Sequence, residues 1–293
     1  MMGKPASIRT RVAVFLETIK FSHTVFALPF AFTGMVLAAN GWPPASTVFW
    51  IAVAMVGART GAMGMNRVLD AAYDAKNPRT SERAIPKGSL SGGFVTAVSV
   101  LSFGLLVLAA SRLNALCLYL SPVAIGIVVI YSLTKRFTSL SHLVLGLSLA
   151  LAPIGAWIAV RGDLSAVPLL LGAAVLLWVA GFDILYALQD IDFDRRTGLH
   201  SIPARLGPGA GVWISRLLHA GTVVLLAAVG IAAGRGWLYA AGVVTAGVLL
   251  AYEHSLVSAD DLSRLDTAFF NMNGYLSVAV FLFTAADVIF VGR

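Results

Sequence analysis

The chain has 293 residues, of which 58% are apolar and only 12% charged, and its mean hydropathy is +0.86. A soluble globular chain carries about 25% charged residues, so this one lacks the polar surface to cover a globule in water; the same composition excludes a disordered chain, a collagen-like repeat and a nucleic-acid-binding domain. The net charge of +7 therefore has to be read by where the basic residues lie relative to a bilayer, not by their sum.

Crossing a bilayer takes about 20 predominantly apolar residues, and lipid forces them into helices because each backbone group must be bonded within its own segment. Cutting the sequence at its charges and turn residues leaves nine such segments. They run approximately from Phe21 to Ala39, Val48 to Asp70, Gly92 to Ser111, Ala115 to Thr134, His142 to Val160, Val167 to Leu188, Val212 to Gly234, Trp237 to His254, and Ala268 to Val291. Met1 to Arg11 is basic, but Lys20 and the long apolar run after it, with no small-residue cleavage site, predict a retained first span instead of a removed signal peptide. The single cysteine, Cys117, has no partner for an intrachain disulfide.

Nine crossings put the termini on opposite faces. Lys4, Arg9, Arg11, Lys20, Lys76, Arg79, Arg83, Lys87, Lys135, Arg136, Arg195, Arg196, Arg205 and Arg264 then share the face of the N-terminus, against Arg112, Arg161, Arg235 and Arg293 on the other. The positive-inside rule makes the first of these faces cytoplasmic. Two long polar connections, from Ala75 to Ser91 and from Asp190 to Gly211, also fall there, whereas those from Asn40 to Thr47 and from Arg161 to Ala166 on the opposite face are short. Polar chemistry is expected at the cytoplasmic face.

Among the 14 acidic residues, two groups stand at the ends of apolar segments: Asp70 with Asp74, and Asp183, Asp190, Asp192 and Asp194. An ionised carboxylate at the edge of hydrocarbon costs several kcal/mol unless it meets a cation or a water-filled cavity, so each group needs a reason. Asn66, Asp70 and Asp74 are spaced by four, and at about 100° per residue they form one stripe on a helix, with Arg59 within about 20° of Asn66. Tyr186, Asp190 and Asp194 repeat the spacing, and Asp183 precedes Asp190 by seven. Ala84-Ile-Pro86 follows the first stripe and Ser201-Ile-Pro203 the second, so the chain reads as one domain of two related halves, about 12–160 and 161–293, facing a shared site. Asp192 lies about 160° around the helix from Asp190 and is assigned to a cap loop.

One isolated stripe of this kind reads as a solvated helix end. Two of them at cytoplasmic helix ends read as hard-oxygen ligands for Mg²⁺, which takes one or two carboxylates and fills its other positions with water and substrate phosphate. One Cys and five scattered His exclude a zinc or iron-sulfur site, and His23, His142, His200, His219 and His254 are read as structural. Lys135 and Arg136 close the fourth segment, with Tyr131 one turn earlier. Lys135 is read as a cation that stabilises a departing diphosphate. Arg83, Lys87, Arg195 and Arg196 are read as charges that set topology.

Three stretches carry a family resemblance: the stripe from Asn66 to Asp74, Tyr-Ser-Leu-Thr-Lys-Arg from Tyr131 to Arg136, and Tyr-Ala-Leu-Gln-Asp-Ile-Asp-Phe-Asp-Arg-Arg-Thr-Gly-Leu-His-Ser-Ile-Pro from Tyr186 to Pro203. With them the whole chain resembles the UbiA superfamily of intramembrane aromatic prenyltransferases, and most closely its 4-hydroxybenzoate polyprenyltransferase branch. The resemblance implies an all-α polytopic membrane protein, nine transmembrane helices around a central cavity, with Asp-rich motifs after the second and sixth helices under cytoplasmic cap loops. Many members carry Asp directly after the motif Asn. Arg67 departs from that pattern and, together with Asn77-Pro-Arg-Thr80, resembles a bacterial subgroup of quinone pathways that includes enzymes acting on a dihydroxynaphthoate.

The resemblance further implies a polyprenyl diphosphate donor, a small aromatic acid as acceptor, the lipid bilayer around the donor's tail, and a bacterial inner-membrane location with the active site cytoplasmic. It implies two Mg²⁺ ions, one on Asp70 and Asp74, the other on Asp190 and Asp194, with Lys135 beside the leaving group; oligomeric state is left open. Arg59 either grips the acceptor's carboxylate or pairs with a neighbouring Asp. Asn66 orients the acceptor or a metal-bound water, and Arg67, Tyr131, Arg136, Arg79, Asp183 and Tyr186 are candidates for substrate binding. Lys20 reaches the diphosphate or simply snorkels to the interface. The competing class is a secondary transporter, disfavoured because its site should lie near the bilayer midplane; a non-catalytic scaffold would have no use for four carboxylates.

Overall fold

Backbone groups in hydrocarbon have to be bonded within their own segment, and the computed structural model, which describes residues 14–18 and 28–291, is built from helices with no strand among those residues. In chain order these are α1 (Leu28–Ala39), α2 (Ala45–Leu69), the single turn α3 (Ala71–Asp74), α4 (Gly92–Leu113), α5 (Ala115–Thr134), α6 (Ser141–Arg161), α7 (Ala166–Ala187), α8 (Ile191–Thr197), α9 (Ile202–Leu206), α10 (Pro208–Ala232), α11 (Trp237–Leu256) and α12 (Asn273–Phe290). A 3₁₀ turn, Leu188–Asp190, joins α7 to α8, and π-helical Thr267–Met272 leads into α12.

Seven helical stretches are long and apolar enough to cross a membrane: Ala45–Leu69, Gly92–Leu113, Ala115–Thr134, Ser141–Arg161, Ala166–Thr197, Pro208–Ala232 and Thr267–Phe290. Of the nine expected spans, these seven are found among the described residues. The helix α11 has 20 residues, but Tyr252, Glu253 and His254 dilute the apolarity of its last turns. The helix α1 has 12, short of the ~20 that a span takes; residues 21–27, expected to begin the first span, lie outside the described residues, as does Lys20.

The middle of the bundle is α7, packed between α6 and α10. Its Trp178 is fully buried, lies 4.9 Å from the Phe30 ring of α1, and donates its indole N–H to Asn273 Oδ1 of α12 at 2.6 Å. Lipid supplies no hydrophobic force between helices, so close packing through small residues has to hold them together. A Cβ on Gly34 of α1 would collide with the Pro153 carbonyl of α6, and one on Gly146 of α6 with the Leu176 carbonyl of α7. At the start of α11 the orphan amides of Gly236 and Tyr239 donate to Asp287 of α12 at 2.9 and 3.1 Å, placing a carboxylate where the helix dipole favours it.

The consequence for the site is that α2, α5 and α7 all end on one face, where the connection from α3 to α4 and the segment carrying α8 and α9 cover them. Gly146→Leu should destabilise the bundle by about 1–3 kcal/mol through overpacking, read as a lowered thermal midpoint in detergent. Gly155→Leu on the same helix, where a Cβ has nothing within 4 Å, should leave the midpoint in place; an equal fall in both variants would remove the packing explanation.

Candidate active site

The spacing of four keeps its register through the end of α2. Asp70 (φ −91°, ψ −2°) separates α2 from α3, yet its amide donates to Asn66 O at 2.9 Å and the amide of Asp74 donates to Asp70 O at 2.8 Å. Asn66 Nδ2 donates to Asp70 Oδ2 at 2.8 Å and reaches Ser132 Oγ of α5 at 3.3 Å. The second stripe bends instead: α7 stops at Ala187, Asp190 sits at the end of the 3₁₀ turn, and α8 then carries Asp194 inward. Asp192 is exposed, on a helix rather than in the loop expected for it.

Each deeply buried carboxylate of the two stripes meets a cation, as burial of the charge demands. Asp74, 7% exposed, accepts from Arg83 Nη1 at 2.6 Å. Asp190, 8% exposed, is gripped by the Arg79 fork, Nε on Oδ1 at 3.1 Å and Nη2 on Oδ2, and Asn77 Nδ2 adds a third bond at 3.1 Å. Asp194, wholly buried, pairs with Lys135 Nζ at 3.0 Å and accepts from Ser201 Oγ at 2.8 Å. Asn77 and Arg79 belong to the connection after the first stripe, and Asp190 to the second stripe. The two acidic stretches are therefore parts of one polar network.

Asp70 is the more open of the four. Burial first, and then the neighbouring Asp74 charge, push its carboxyl up to about 6, against the opposing pull of Arg136, the Asn66 amide and Arg67. Arg136 stands 3.7 Å from Asp70 Oδ1, donates to the Leu69 carbonyl at 2.6 Å and lies over the Tyr73 ring. Arg79 also donates to the Tyr186 hydroxyl at 3.2 Å. That ring stacks on Phe269 at 4.2 Å, from which Phe182 and Trp178 continue a row of aromatic contacts into the core.

Other predicted residues are distributed around this network. Asp183 Oδ2 lies 2.6 Å from His142 Nδ1, and His142 Nε2 faces the Ile202 amide at 3.3 Å. An amide can only donate, so the proton of a neutral His142 is assigned to Nδ1, aimed at Asp183. Arg59 forms no ion pair among the described residues, and its Nε is buried without a hydrogen-bond partner, which leaves the alternative of pairing with a neighbouring Asp unsupported. Arg67 donates through Nε to the Thr18 carbonyl at 3.2 Å; it ties residues 14–18 to α2. Tyr131 accepts through its carbonyl from Thr134 Oγ1 at 2.6 Å, on the last turn before Lys135.

Four participants differ from the sequence reading. Arg83, expected only to set topology, holds Asp74; His142, expected to be structural, holds Asp183; Asn77 and Ser201 were not singled out as ligands of carboxylates. Arg196, also expected only to set topology, lines a hollow of about 500 Å³ with Tyr73, Lys76 and Thr197, between α3 and α8.

Among the described residues no three His, Cys, Asp or Glu side chains converge on one point. Asp74 Oδ2 and Asp194 Oδ1 are, however, buried without a hydrogen-bond partner. Hard oxygens with one free acceptor each, beside cations that suit phosphate, fit Mg²⁺ held jointly by protein and a phosphorylated substrate.

The sequence profile of the UbiA prenyltransferase family matches residues 27–275. A 4-hydroxybenzoate octaprenyltransferase of Marinobacter nauticus is 30% identical over 98% of both chains, and one of Aromatoleum aromaticum is 27% identical over the same shares. The apo structure of a UbiA homolog from Aeropyrum pernix superposes with a TM-score of 0.79 at 33% identity, covering 92% of this chain and 97% of that one. A UbiA homolog from Archaeoglobus fulgidus bound to DMAPP and Mg²⁺ shares the fold at a TM-score of 0.74 and 18% identity, over 94% and 99% of the two chains. An all-helical chain with membrane-spanning segments, matched to one family over most of its length, is an integral membrane protein and belongs to the UbiA prenyltransferase family.

Proposed function

We propose that the chain transfers a polyprenyl group from polyprenyl diphosphate to a ring carbon of a small aromatic acid, 4-hydroxybenzoate or a dihydroxynaphthoate, in quinone biosynthesis at the cytoplasmic face of the bacterial inner membrane. The single observation that carries this reading is the Arg79 fork on Asp190, which joins the two acidic stretches into one site rich in both carboxylates and cations. The relatives named 4-hydroxybenzoate octaprenyltransferase support the acceptor class, and the homolog bound to DMAPP and Mg²⁺ supports the donor and the metal.

Asp70, Asp74, Asp190 and Asp194 are the residues that would hold two Mg²⁺ ions. Arg79, Arg83 and Lys135 now neutralise three of them. A diphosphate brings its own negative charge, so these cations exchange from carboxylate to phosphate oxygens and free the Asp side chains as ligands. Bound Mg²⁺ would supply positive charge that makes the diphosphate a better leaving group. The allylic C1–O bond breaks with its electron pair passing to the diphosphate, where Lys135 stabilises it. A π pair of the acceptor ring forms the new C–C bond, and loss of the ring proton restores aromaticity. Arg59, with its unpartnered Nε, grips the acceptor's carboxylate, while Asn66, Tyr131, Tyr186, Arg136 and Asp183 line the approach. The prenyl tail lies among the helices and in lipid, in a single domain of two related halves, about 12–160 and 161–293.

Asp70→Asn and Asp190→Asn should each lower turnover by roughly 10²-fold or more, since they remove charge needed in the transition state; turnover near the wild-type rate in either variant would sink the metal assignment. Arg59→Ala should raise KM for the aromatic acid roughly tenfold or more, as loss of a charge-assisted bond does, with KM for the donor little changed; an equal rise in both would refute the carboxylate role. Asp70 is protonated below about pH 6, and a metal needs its ionised form. Mg²⁺ affinity, measured by titration calorimetry, should therefore be weaker at about pH 5 than at about pH 7, roughly one unit on either side of that midpoint, and the difference should shrink in Asp70→Asn.

A further inference from the structure

Beside the second acidic stretch, a hollow of about 350 Å³ opens on the same face between the α5–α6 connection, α8 and α9. Arg195, His200, Arg205, Thr138 and Ser139 contribute to its lining, which contains no Asp or Glu. The basic residues Arg79, Arg83, Lys135 and Arg136 all end on carboxylates. Arg195 and Arg205 form no ion pair among the described residues. Arg195 instead fixes its guanidinium plane by donating Nε to the Ala204 carbonyl at 2.9 Å. The hollow thus concentrates positive charge that the protein itself does not balance.

Apolar side chains stand at its edge. Phe137, which lines it, is 66% exposed, and Leu206, next in sequence to the lining Arg205, is 56% exposed; both lie within three residues of a membrane-spanning helix, α5 ending at Thr134 and α10 beginning at Pro208. Exposed apolar side chains beside arginines, at the depth where helices leave hydrocarbon, match the level of a lipid phosphate and its first methylenes. The floor is joined to the neighbouring network, because the His200 amide donates to the Lys135 carbonyl at 2.7 Å.

We propose that this hollow binds a phosphate group, presented either by the headgroup of an anionic phospholipid or as free diphosphate, with Arg195 and Arg205 as charge-assisted donors. The apolar side chains at its edge favour the lipid as the source. The hollow shares Ser201 with the acidic network, but Arg195 and Arg205 have no part in the transferase reading, so the two are tested separately.

The test uses the purified full chain in detergent, titrated separately with phosphatidylglycerol and with inorganic pyrophosphate, and read by native mass spectrometry. At least one of the two should bind more weakly, by roughly 30-fold, to the Arg195→Gln/Arg205→Gln variant, from about two arginine contacts at a membrane surface, and added salt should weaken wild-type binding. Loss confined to phosphatidylglycerol assigns the headgroup, and loss confined to pyrophosphate assigns the free anion; either supports the site. Hydrogen exchange in wild-type residues 195–206 should slow on adding the same ligand, a readout that does not depend on the variant folding. Binding of both probes by the variant as strongly as by wild type, or exchange across 195–206 that neither probe alters, would overturn the proposal.

Discussion

A carboxylate at the boundary of hydrocarbon is costly unless a positive charge or donor stands against it. The cap over α2, α5 and α7 is organised around that requirement. Arg83 answers Asp74, Arg79 and Asn77 answer Asp190, and Lys135 and Ser201 answer Asp194. The irregular segments from 75 to 91 and from 198 to 201 are tied to the helix ends by these pairings, alongside their own backbone turns. The result is a polar layer in which carboxylates and cations alternate within bonding distance, the arrangement that the proposed chemistry on a diphosphate would use.

Packing deeper in the bundle sets the same layer. His142 and Gly146 are four residues apart on α6 and share a face, and that face meets α7, where Gly146 lets the backbones close onto Leu176 and His142 reaches Asp183. A row of rings from Trp178 through Phe182 and Phe269 ends on Tyr186, whose hydroxyl receives Arg79. Helix packing without a hydrophobic drive and the position of a guanidinium at the surface are thus connected by contiguous side chains.

Most of this fold was readable from the sequence, because lipid allows an apolar run of sufficient length only one backbone solution. Asn66, Asp70 and Asp74 were readable as a stripe because the period of a helix carries across Asp70. Lys135 was readable as a cation of the acidic region from its place at a helix end, and it pairs there with Asp194. Partners across the bundle were not. Arg83 follows Asp74 by nine residues through an irregular stretch with no period, so nothing in the local pattern separates it from a topology-setting arginine. Asn77 had a signal in the Asn-Pro-Arg-Thr phrase, but that phrase does not reveal that its target lies in the other half of the chain. The bend at Leu188–Asp190 likewise defeats extrapolation of the second stripe, because a 3₁₀ turn advances the side chains by a different angle.

The order of residues in the network matters for how such a protein enters a membrane from the ribosome. Chains fold from their N-terminal part as they are made, and Asn66 and Arg83 emerge close to Asp70 and Asp74, so the first acidic stretch is neutralised by its own neighbourhood. Asp190 and Asp194 emerge after Arg79, Asn77 and Lys135 have been made. The later carboxylates thus meet a waiting cationic berth, and the nascent chain need not leave a bare acid at the lipid edge while the remainder is still being translated.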